Sequence, residues 1–248
     1  MANEFEHSVL AIVNAESTEL LGTCFVISSQ CVLTCTHIFP ELRISSDGAT
    51  QLPPEIVVLA GDRSFSPSCI YVSRPLDVTC MHFTELPGLV PIPLVRSTEL
   101  KTTSLTAVGF AHDAKGASRR VANSQEVIHE LKSDGQGFIQ FCQLGGGAPQ
   151  GFSGGPVLVP ADIGWWAVGM LQLGQESAPT SRFIAMDPVA AFLSEHRLSV
   201  AVGEFRPKPA AAPDRPSESY TGNIIANYGD IDHGSTVHNI QTITKKAD

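Results

Sequence analysis

Short apolar runs, separated by Gly, Pro, Ser and Asp, recur along the first 200 residues of the chain. Runs of this length between turn-forming residues predict β-strands, and many in succession predict a sandwich or a barrel. Good examples of the predicted strands are 8–13, 23–27, 31–34, 55–59, 78–83, 105–110, 126–131, 137–141, 156–159 and 165–171. One helix is expected near the end of this region, with Asp187 as its N-cap and Pro188 in its first turn. Its apolar face comprises Val189, Phe192 and Leu193.

Composition narrows the class of protein. With 248 residues, 43% hydrophobic and 17% charged, the chain is long and apolar enough for one large or two small cores. A formal net charge of -9 argues against nucleic acid as a partner, because that affinity depends on Lys and Arg neutralising phosphates. No run approaches the length of a membrane span, and the acidic start lacks the features of a secretory signal. These features predict a cytoplasmic protein with no membrane span.

The six cysteines lie in apolar surroundings, which predicts reduced, buried thiols. A zinc site made by Cys24, Cys31, Cys35 and His37 lacks the paired short spacings of structural zinc motifs. We therefore expect neither a metal nor another cofactor.

Three segments are distinguished by composition. Residues 1–200 carry the β-rich pattern, with the proline-spaced stretch 86–94 expected to connect two β subdomains. Residues 201–218 alternate Pro with Ala and charged residues, which predicts an extended, semi-rigid linker. Residues 219–248 combine five Ile with Asn, Tyr and spaced Gly, which predicts a short β-prone tail too small to fold as a domain alone.

The sharpest local signal is the sequence Gly-Phe-Ser-Gly-Gly-Pro at residues 151–156, followed by an apolar strand. Glycines beside a serine let the backbone turn tightly, so that amide N–H groups can converge on a developing oxyanion. Ser153 is thus a candidate nucleophile, and the amides of Gly151 and Ser153 are the candidate oxyanion donors. The same segment alone also suits an ordinary turn between strands.

A serine hydroxyl needs a general base, and the base needs a group that orients it. His37 follows the apolar strand 31–34, and Asp77 begins the otherwise apolar run 78–83. Asp62 is a rival for Asp77, but its polar surroundings favour a turn-capping role. A partly buried structural histidine is the alternative interpretation of His37.

Together these segments resemble the chymotrypsin-like (trypsin-like) serine protease family. Residues 34–37, Thr-Cys-Thr-His, are similar to that family's Thr-Ala-Ala-His segment, and residues 76–79, Leu-Asp-Val-Thr, to its Asp-Ile-Ala-Leu strand start. Residues 151–156 are similar to its Gly-Asp-Ser-Gly-Gly-Pro loop, and the order His, Asp, Ser matches. The resemblance covers about residues 8–197. It implies two six-stranded barrels with the active site between them, a C-terminal helix, and a protein substrate.

Phe152 departs from the family pattern. It replaces the acid that pairs with a newly cut N-terminus in activated zymogens, and no Ile-Val-Gly-Gly start is present. The sequence therefore excludes activation by that ion pair. The disulfide pattern of vertebrate members is also not reproduced, which agrees with a reducing compartment.

The resemblance also implies where substrate side chains bind. The candidate pocket residues are Gly147, Ala148, Gln150, Gln172 and Gly174. No Asp occupies the expected pocket floor, so the sequence favours a small or apolar residue before the cut. The alternative is that Arg182 receives an acidic side chain.

Residues 222–241 are similar to short amyloid-forming signalling motifs of bacteria and fungi, in which Ile and Val alternate with Asn and Gln around Gly turns. That resemblance implies homotypic assembly with a nucleotide-binding receptor and an effector role in a bacterial defence or signalling system. A disordered extension, or a strand pair docked on the barrel, are the alternatives.

Two other hypotheses remain for the whole chain. A catalytically silent, protease-like scaffold would work through its tail, although the retention of His37, Asp77 and Ser153 favours activity. A cysteine or metal-dependent hydrolase would lose activity with thiol reagents or chelators.

Overall fold

The computed structural model describes residues 5–39, 42, 49–50, 55–96, 104–112, 118–131, 141–145, 148–160, 164–172, 180–198, 200, 202–204, 226–231 and 235–240. The chain divides into two compact units, Met1–Pro207 and Lys208–Asp248. Among the described residues, the first unit contains two mostly antiparallel sheets and one α-helix, and the second contains a hairpin.

The first sheet is built from the N-terminal residues and has eight strands in the order β4-β7-β8-β3-β2-β1-β5-β6. Its strands are β1 (Val9–Asn14), β2 (Leu20–Val26), β3 (Cys31–Cys35), β4 (Ala49–Thr50), β5 (Ile56–Ala60), β6 (Arg63–Phe65), β7 (Cys69–Ser73) and β8 (Val78–His82). Residues directly opposite one another on paired strands share a face, and large apolar side chains are buried on both faces of this sheet. Those buried in full include Leu10, Phe25, Leu33, Ile70 and Met81.

The second sheet also has eight strands, in the order β13-β10-β11-β12-β15-β14-β9-β16. Its strands are β9 (Leu94–Arg96), β10 (Ser104–His112), β11 (Ser118–Leu131), β12 (Phe141–Gly145), β13 (Pro156–Pro160), β14 (Trp165–Gln172), β15 (Thr180–Ala185) and β16 (Val202–Glu204). An additional pairing of β13 with β14 closes the strands from β13 to β14 into a barrel. The strands β9 and β16 extend this sheet by parallel pairing beside β14.

The helix α1 (Met186–Glu195) confirms the predicted C-terminal helix and its buried apolar face. The prediction that Asp187 is its N-cap is wrong: Ala185 is the N-cap, and Asp187 lies in the first turn beside Pro188. Met186 is fully buried, so packing starts the helix before the residue that local capping chemistry favours. Asp187 still complements the positive end of the helix dipole from this position.

The segment between β8 and β9 has no regular secondary structure and connects the two sheets, as the proline spacing predicts. Val202–Glu204, at the start of the predicted linker, form β16 and pair with β9. Most of the predicted strand 137–141 lies outside the described residues, and β12 begins at Phe141. These elements confirm the predicted all-β, chymotrypsin-like fold with a C-terminal helix.

In the second unit, β17 (Ala226–Ile231) and β18 (Ser235–Ile240) form an antiparallel hairpin. Its register pairs Asn227 with Asn239 and Tyr228 with His238.

Candidate active site

Ser153 lies in the turn between β12 and β13, at the edge of the second barrel. The turn requires glycine on either side of the serine, because Gly151 has φ +95° and Gly154 has φ +85°, a region that other residues rarely adopt. The side chain of Ser153 is 3% exposed, so its hydroxyl is largely shielded from bulk water.

His37 lies on a 3-10 turn, Thr36–Ile38, that directly follows β3. The turn lifts the imidazole out of the sheet, and the side chain of His37 is 43% exposed. Its Nε2 atom lies 3.1 Å from the Oγ of Ser153, which is hydrogen-bonding distance. An imidazole from the first sheet therefore contacts the hydroxyl from the second.

Asp77 directly precedes β8, next to β3, and its backbone has φ 56°. Asp is among the few residues that tolerate this left-handed conformation. Two backbone bonds hold it there: the Asp77 N–H donates to the Arg74 carbonyl at 3.1 Å, and the Thr36 N–H donates to the Asp77 carbonyl at 3.2 Å.

The Asp77 carboxylate contacts His37 through both oxygens. The backbone N–H of His37 donates to Oδ1 at 2.9 Å, and Nδ1 lies 2.7 Å from Oδ2. A carboxylate at Nδ1 places the proton on that nitrogen and leaves Nε2 as the acceptor that faces Ser153. His37, Asp77 and Ser153 thus form one continuous hydrogen-bonded chain.

A third donor reaches the same carboxylate from the second sheet, since the Gln172 Nε2 group donates to Asp77 Oδ2. Burial raises the pKa of Asp77, but the hydrogen bonds from His37 and Gln172 outweigh it and hold the pKa below its usual value. Asp77 is therefore an anion at neutral pH.

The peptide groups of the Ser153 turn are bonded in an alternating pattern. The Phe152 N–H donates to the Pro149 carbonyl and the Gly154 N–H to the Leu171 carbonyl. Among the backbone bonds of the described residues, the N–H groups of Gly151 and Ser153 donate to no other backbone group. These are the two amides predicted to bind an oxyanion.

Residues 22–170 match the family model of the trypsin-like peptidase domain. The chain belongs to this family. The match includes strands of both sheets and the residues His37, Asp77 and Ser153.

Solved structures show the same fold. The peptidase resembles the active form of the Rv3671c protease from M. tuberculosis with a TM-score of 0.57 at 20% identity, covering 81% of this chain and 86% of that one. It resembles the inactive form of the Rv3671c protease with a TM-score of 0.56 at 20% identity, covering 78% and 91%. No curated protein matches the chain.

The predicted pocket residues of this trypsin-like peptidase differ in burial, and the structure describes only three of the five. Ala148 is half-buried and its N–H donates to the Ser181 hydroxyl at 2.6 Å, while Gln150 is exposed beside the turn. Gln172, predicted as a pocket residue, is buried and contacts Asp77, which the sequence did not predict. Gly147 and Gly174 lie outside the described residues. Arg182, the alternative specificity residue, is exposed on β15.

The sequence does contain a signal for the role of Gln172, because Gln172 is a polar residue at the end of an apolar strand. Residues 167–171 of β14 are apolar, and Gln172 ends the strand as His37 follows β3. Asp62, the rival carboxylate, is exposed in the turn between β5 and β6, away from this peptidase's hydrogen-bonded chain.

The geometry argues against a metal at this site. Among the described residues, Cys35, His37 and Asp77 are the group close enough to share an ion, and only Cys35 and His37 belong to the zinc set considered from the sequence. Both ring nitrogens of His37 already contact Asp77 and Ser153. Burial raises the pKa of Cys35 well above its usual value, so its thiol stays protonated and is a poor nucleophile. Within the described residues, no helix of the peptidase is both long and apolar enough to span a bilayer.

Proposed function

We propose that this trypsin-like peptidase is a serine endopeptidase in which Ser153 is the nucleophile, His37 the general base and Asp77 the group that orients the base. The observation that carries the proposal is the chain of contacts from Asp77 Oδ2 to His37 Nδ1, at 2.7 Å, and from His37 Nε2 to Ser153 Oγ, at 3.1 Å. A silent scaffold has no need of this alignment.

The proposed reaction has two halves. Ser153 Oγ bonds to the scissile carbonyl carbon while its proton passes to His37 Nε2, and the oxyanion accepts hydrogen bonds from the N–H groups of Gly151 and Ser153. The C–N bond then breaks as the imidazolium gives its proton to the leaving amine. Water, deprotonated by Nε2, attacks the acyl-enzyme ester and releases the new carboxyl end and the serine hydroxyl. Asp77 stays ionised and stabilises the imidazolium throughout.

A fluorophosphonate probe tests this function, because it phosphonylates a serine only when a base activates the hydroxyl. Wild-type protein is expected to be labelled at Ser153, and Ser153→Ala and His37→Ala to lose labelling by about 10⁴-fold or more. Ser64→Ala, an exposed serine on β6, is the matched control and is expected to label like the wild type. Failure of the folded wild type to label would favour the silent scaffold. Labelling that is blocked by a chelator or a thiol reagent would favour the metal or cysteine hydrolase.

For substrate choice, we extend the proposal to a small or apolar side chain before the cut, bound by Ala148 and Gln150 together with Gly147, Gln172 and Gly174. Support comes from Ala148, which is half-buried next to the Ser153 turn and adds no charge. Cleavage of a peptide library by the wild type, with Ser153→Ala as background, gives the preferred residue. Enrichment of Asp or Glu before the cut would instead favour a role for Arg182.

The tail carries a second part of the proposal: residues 222–241 assemble with a similar motif on a nucleotide-binding receptor, which recruits the peptidase as an effector in bacterial defence or signalling. The β17–β18 hairpin supports it, because paired extended strands are the structure from which cross-β stacks are built. Recruitment would raise the local substrate concentration without altering the active site.

A synthetic 219–248 peptide tests the tail. Cross-β fibrils, detected by fibre diffraction and dye binding, are the expected result, and Val237→Pro is expected to abolish them because proline cannot donate in a ladder. A peptide that stays monomeric, alone and with seeds of a partner motif, would remove the assembly role.

A cytoplasmic location is part of the same proposal, supported by the free thiols of the five cysteines whose side chains the structure describes.

A further inference from the structure

Thr23 connects the first sheet to the Ser153 turn. It lies on β2 and is fully buried, and its backbone N–H donates to the Ser153 carbonyl at 2.9 Å. Its hydroxyl donates to the Gly151 carbonyl at 2.7 Å and accepts the Phe110 N–H at 2.9 Å. One residue of the first sheet thus bonds both residues that carry the proposed oxyanion donors.

Contacts with the neighbouring strand β3 and with the glycines after Ser153 fix the position of Thr23. The Thr34 hydroxyl on β3 donates to the Thr23 carbonyl at 2.7 Å. A β-carbon at Gly154 would collide with that carbonyl, and one at Gly155 would lie 3.3 Å from Thr23 Cγ2. Close packing at these two glycines fixes the part of the turn that follows Ser153 relative to β2.

The Gly151 peptide needs such a restraint. Gly151 has φ +95° and no side chain, so its backbone has more rotational freedom than that of any other residue type. Because the Phe110 N–H occupies an acceptor position of the Thr23 hydroxyl, the hydroxyl proton is directed to the Gly151 carbonyl. The carbonyl is thereby held on the Thr23 side of the turn, which fixes the peptide plane between Gly151 and Phe152 and limits rotation on the carbonyl side of Gly151, next to its N–H group.

We infer that the Thr23 hydroxyl is a positioning group for the oxyanion hole, which holds the Gly151 carbonyl towards β2 so that the Gly151 and Ser153 amides stay directed at the substrate oxyanion. The inference rests on the proposed function and adds a residue from outside the nucleophile loop and the hydrogen-bonded triad. Removing the hydroxyl takes one hydrogen bond away from the Gly151 carbonyl and one from the Phe110 N–H, and the part of the loop before Ser153 then samples orientations that bind the oxyanion less well.

The experiment compares two pairs of proteins that differ at the hydroxyl: wild type against Thr23→Val, and Thr23→Ser against Thr23→Ala. The readouts are the rate of fluorophosphonate labelling and the kcat and KM for p-nitrophenyl acetate. Both hydroxyl-free variants are expected to be slower by about 10- to 100-fold in labelling and kcat, with KM changed little. Thr23→Ser is expected to stay within a few-fold of the wild type.

A pH series separates positioning from disruption of the triad. The pH dependence of labelling is expected to keep its midpoint in Thr23→Val, because neither His37 nor Asp77 bonds Thr23. Thr106→Val, which changes a buried threonine on β10, is the matched control and is expected to keep wild-type rates. Urea unfolding of each variant checks that the labelled protein is folded.

Each outcome bears on one claim. Wild-type rates in folded Thr23→Val or Thr23→Ala would overturn the positioning role, as would equal losses in Thr23→Ser and Thr23→Ala. A shifted pH midpoint would also overturn it, because the hydroxyl would then act on the triad. If Thr23→Val does not fold, the Ser and Ala pair decides. Absence of labelling in folded wild type would instead refute the proposed function.

Discussion

Phe152 packs so closely on Gly109 that a β-carbon at residue 109 would lie 2.6 Å from Phe152 Cγ. The Phe152 side chain is fully buried in the core of the second barrel, with Val157 and Phe183 in the same apolar cluster. It stands between the two residues that carry the proposed oxyanion donors. Burial of a phenylalanine contributes about 1.5–3 kcal/mol, so apolar packing anchors the turn where activated zymogens of the family use an ion pair.

The contact predicts the effect of Gly109→Ala. The added methyl group displaces the Phe152 ring, and with it the Ser153 turn, so fluorophosphonate labelling is expected to fall at least 10-fold and stability by about 1–3 kcal/mol. Urea unfolding and labelling rates measure both effects. The double variant Gly109→Ala, Phe152→Leu makes room for the methyl group and is expected to recover part of the labelling rate. No recovery, or no loss in the single variant, would contradict the packing argument.

Phe152→Asp tests whether the turn accepts the acid found in zymogens. The carboxylate would be buried among apolar side chains, and burying an unpaired charge is strongly unfavourable. We expect a loss of several kcal/mol in the free energy of unfolding and no labelling, whereas Phe152→Leu, which stays apolar, is expected to retain most of both. Wild-type stability in Phe152→Asp would show that an unrecognised cation reaches this position.

Asp77→Asn is expected to lower kcat by about 10⁴-fold with a folded protein and a small change in KM. An amide at residue 77 can donate to Nδ1, which then places the imidazole proton on Nε2 and removes the acceptor that faces Ser153. Ester hydrolysis and the His37 ring-proton resonances measure the two effects. A kcat near that of the wild type would remove Asp77 from its proposed role.

Gln172→Ala is expected to raise the pKa of Asp77, because it removes a hydrogen bond to the carboxylate. The pKa of Asp77 is lower in the folded protein than in the unfolded chain, so the linked stability is present above the unfolded value and is lost as the pH falls through the folded one. The difference in unfolding free energy between wild type and variant should therefore be present at about pH 7 and shrink towards about pH 3.

Urea unfolding across this pH range measures the Gln172 effect, with Gln30→Ala as the matched control. Gln30 is exposed, and its Nε2 group donates to the Thr84 carbonyl rather than to an ionisable group. Its effect on stability is expected to be independent of pH. A pH-independent loss in Gln172→Ala as well would mean that Gln172 acts by packing, without a role in the ionisation of Asp77.

Local chemistry explains what could be predicted. His37 and Asp77 each adjoin an apolar strand, and Ser153 lies between glycines, so each is conspicuous in its own segment. The strand β7 is not among the examples predicted from the sequence, although Ile70, Tyr71 and Val72 favour a strand. Val202–Glu204 lie at the start of a proline-rich stretch, and only parallel pairing with β9 makes them a strand.

The amino-acid sequence by itself determined the class of fold, the glycine-bounded turn around Ser153 and the order of the three chemically matched segments, because strand periodicity, glycine conformation and residue chemistry are local properties. Tertiary structure decided which distant residues meet at the site, because no local pattern contains that information. His37 meets a serine 116 residues away, Gln172 reaches Asp77 across 95 residues, and Thr23 bonds Gly151 across 128. Those contacts exist because β1, β2 and β3 of the first sheet pack against β10 and β14 of the second, and buried polar groups must then find partners wherever packing brings them.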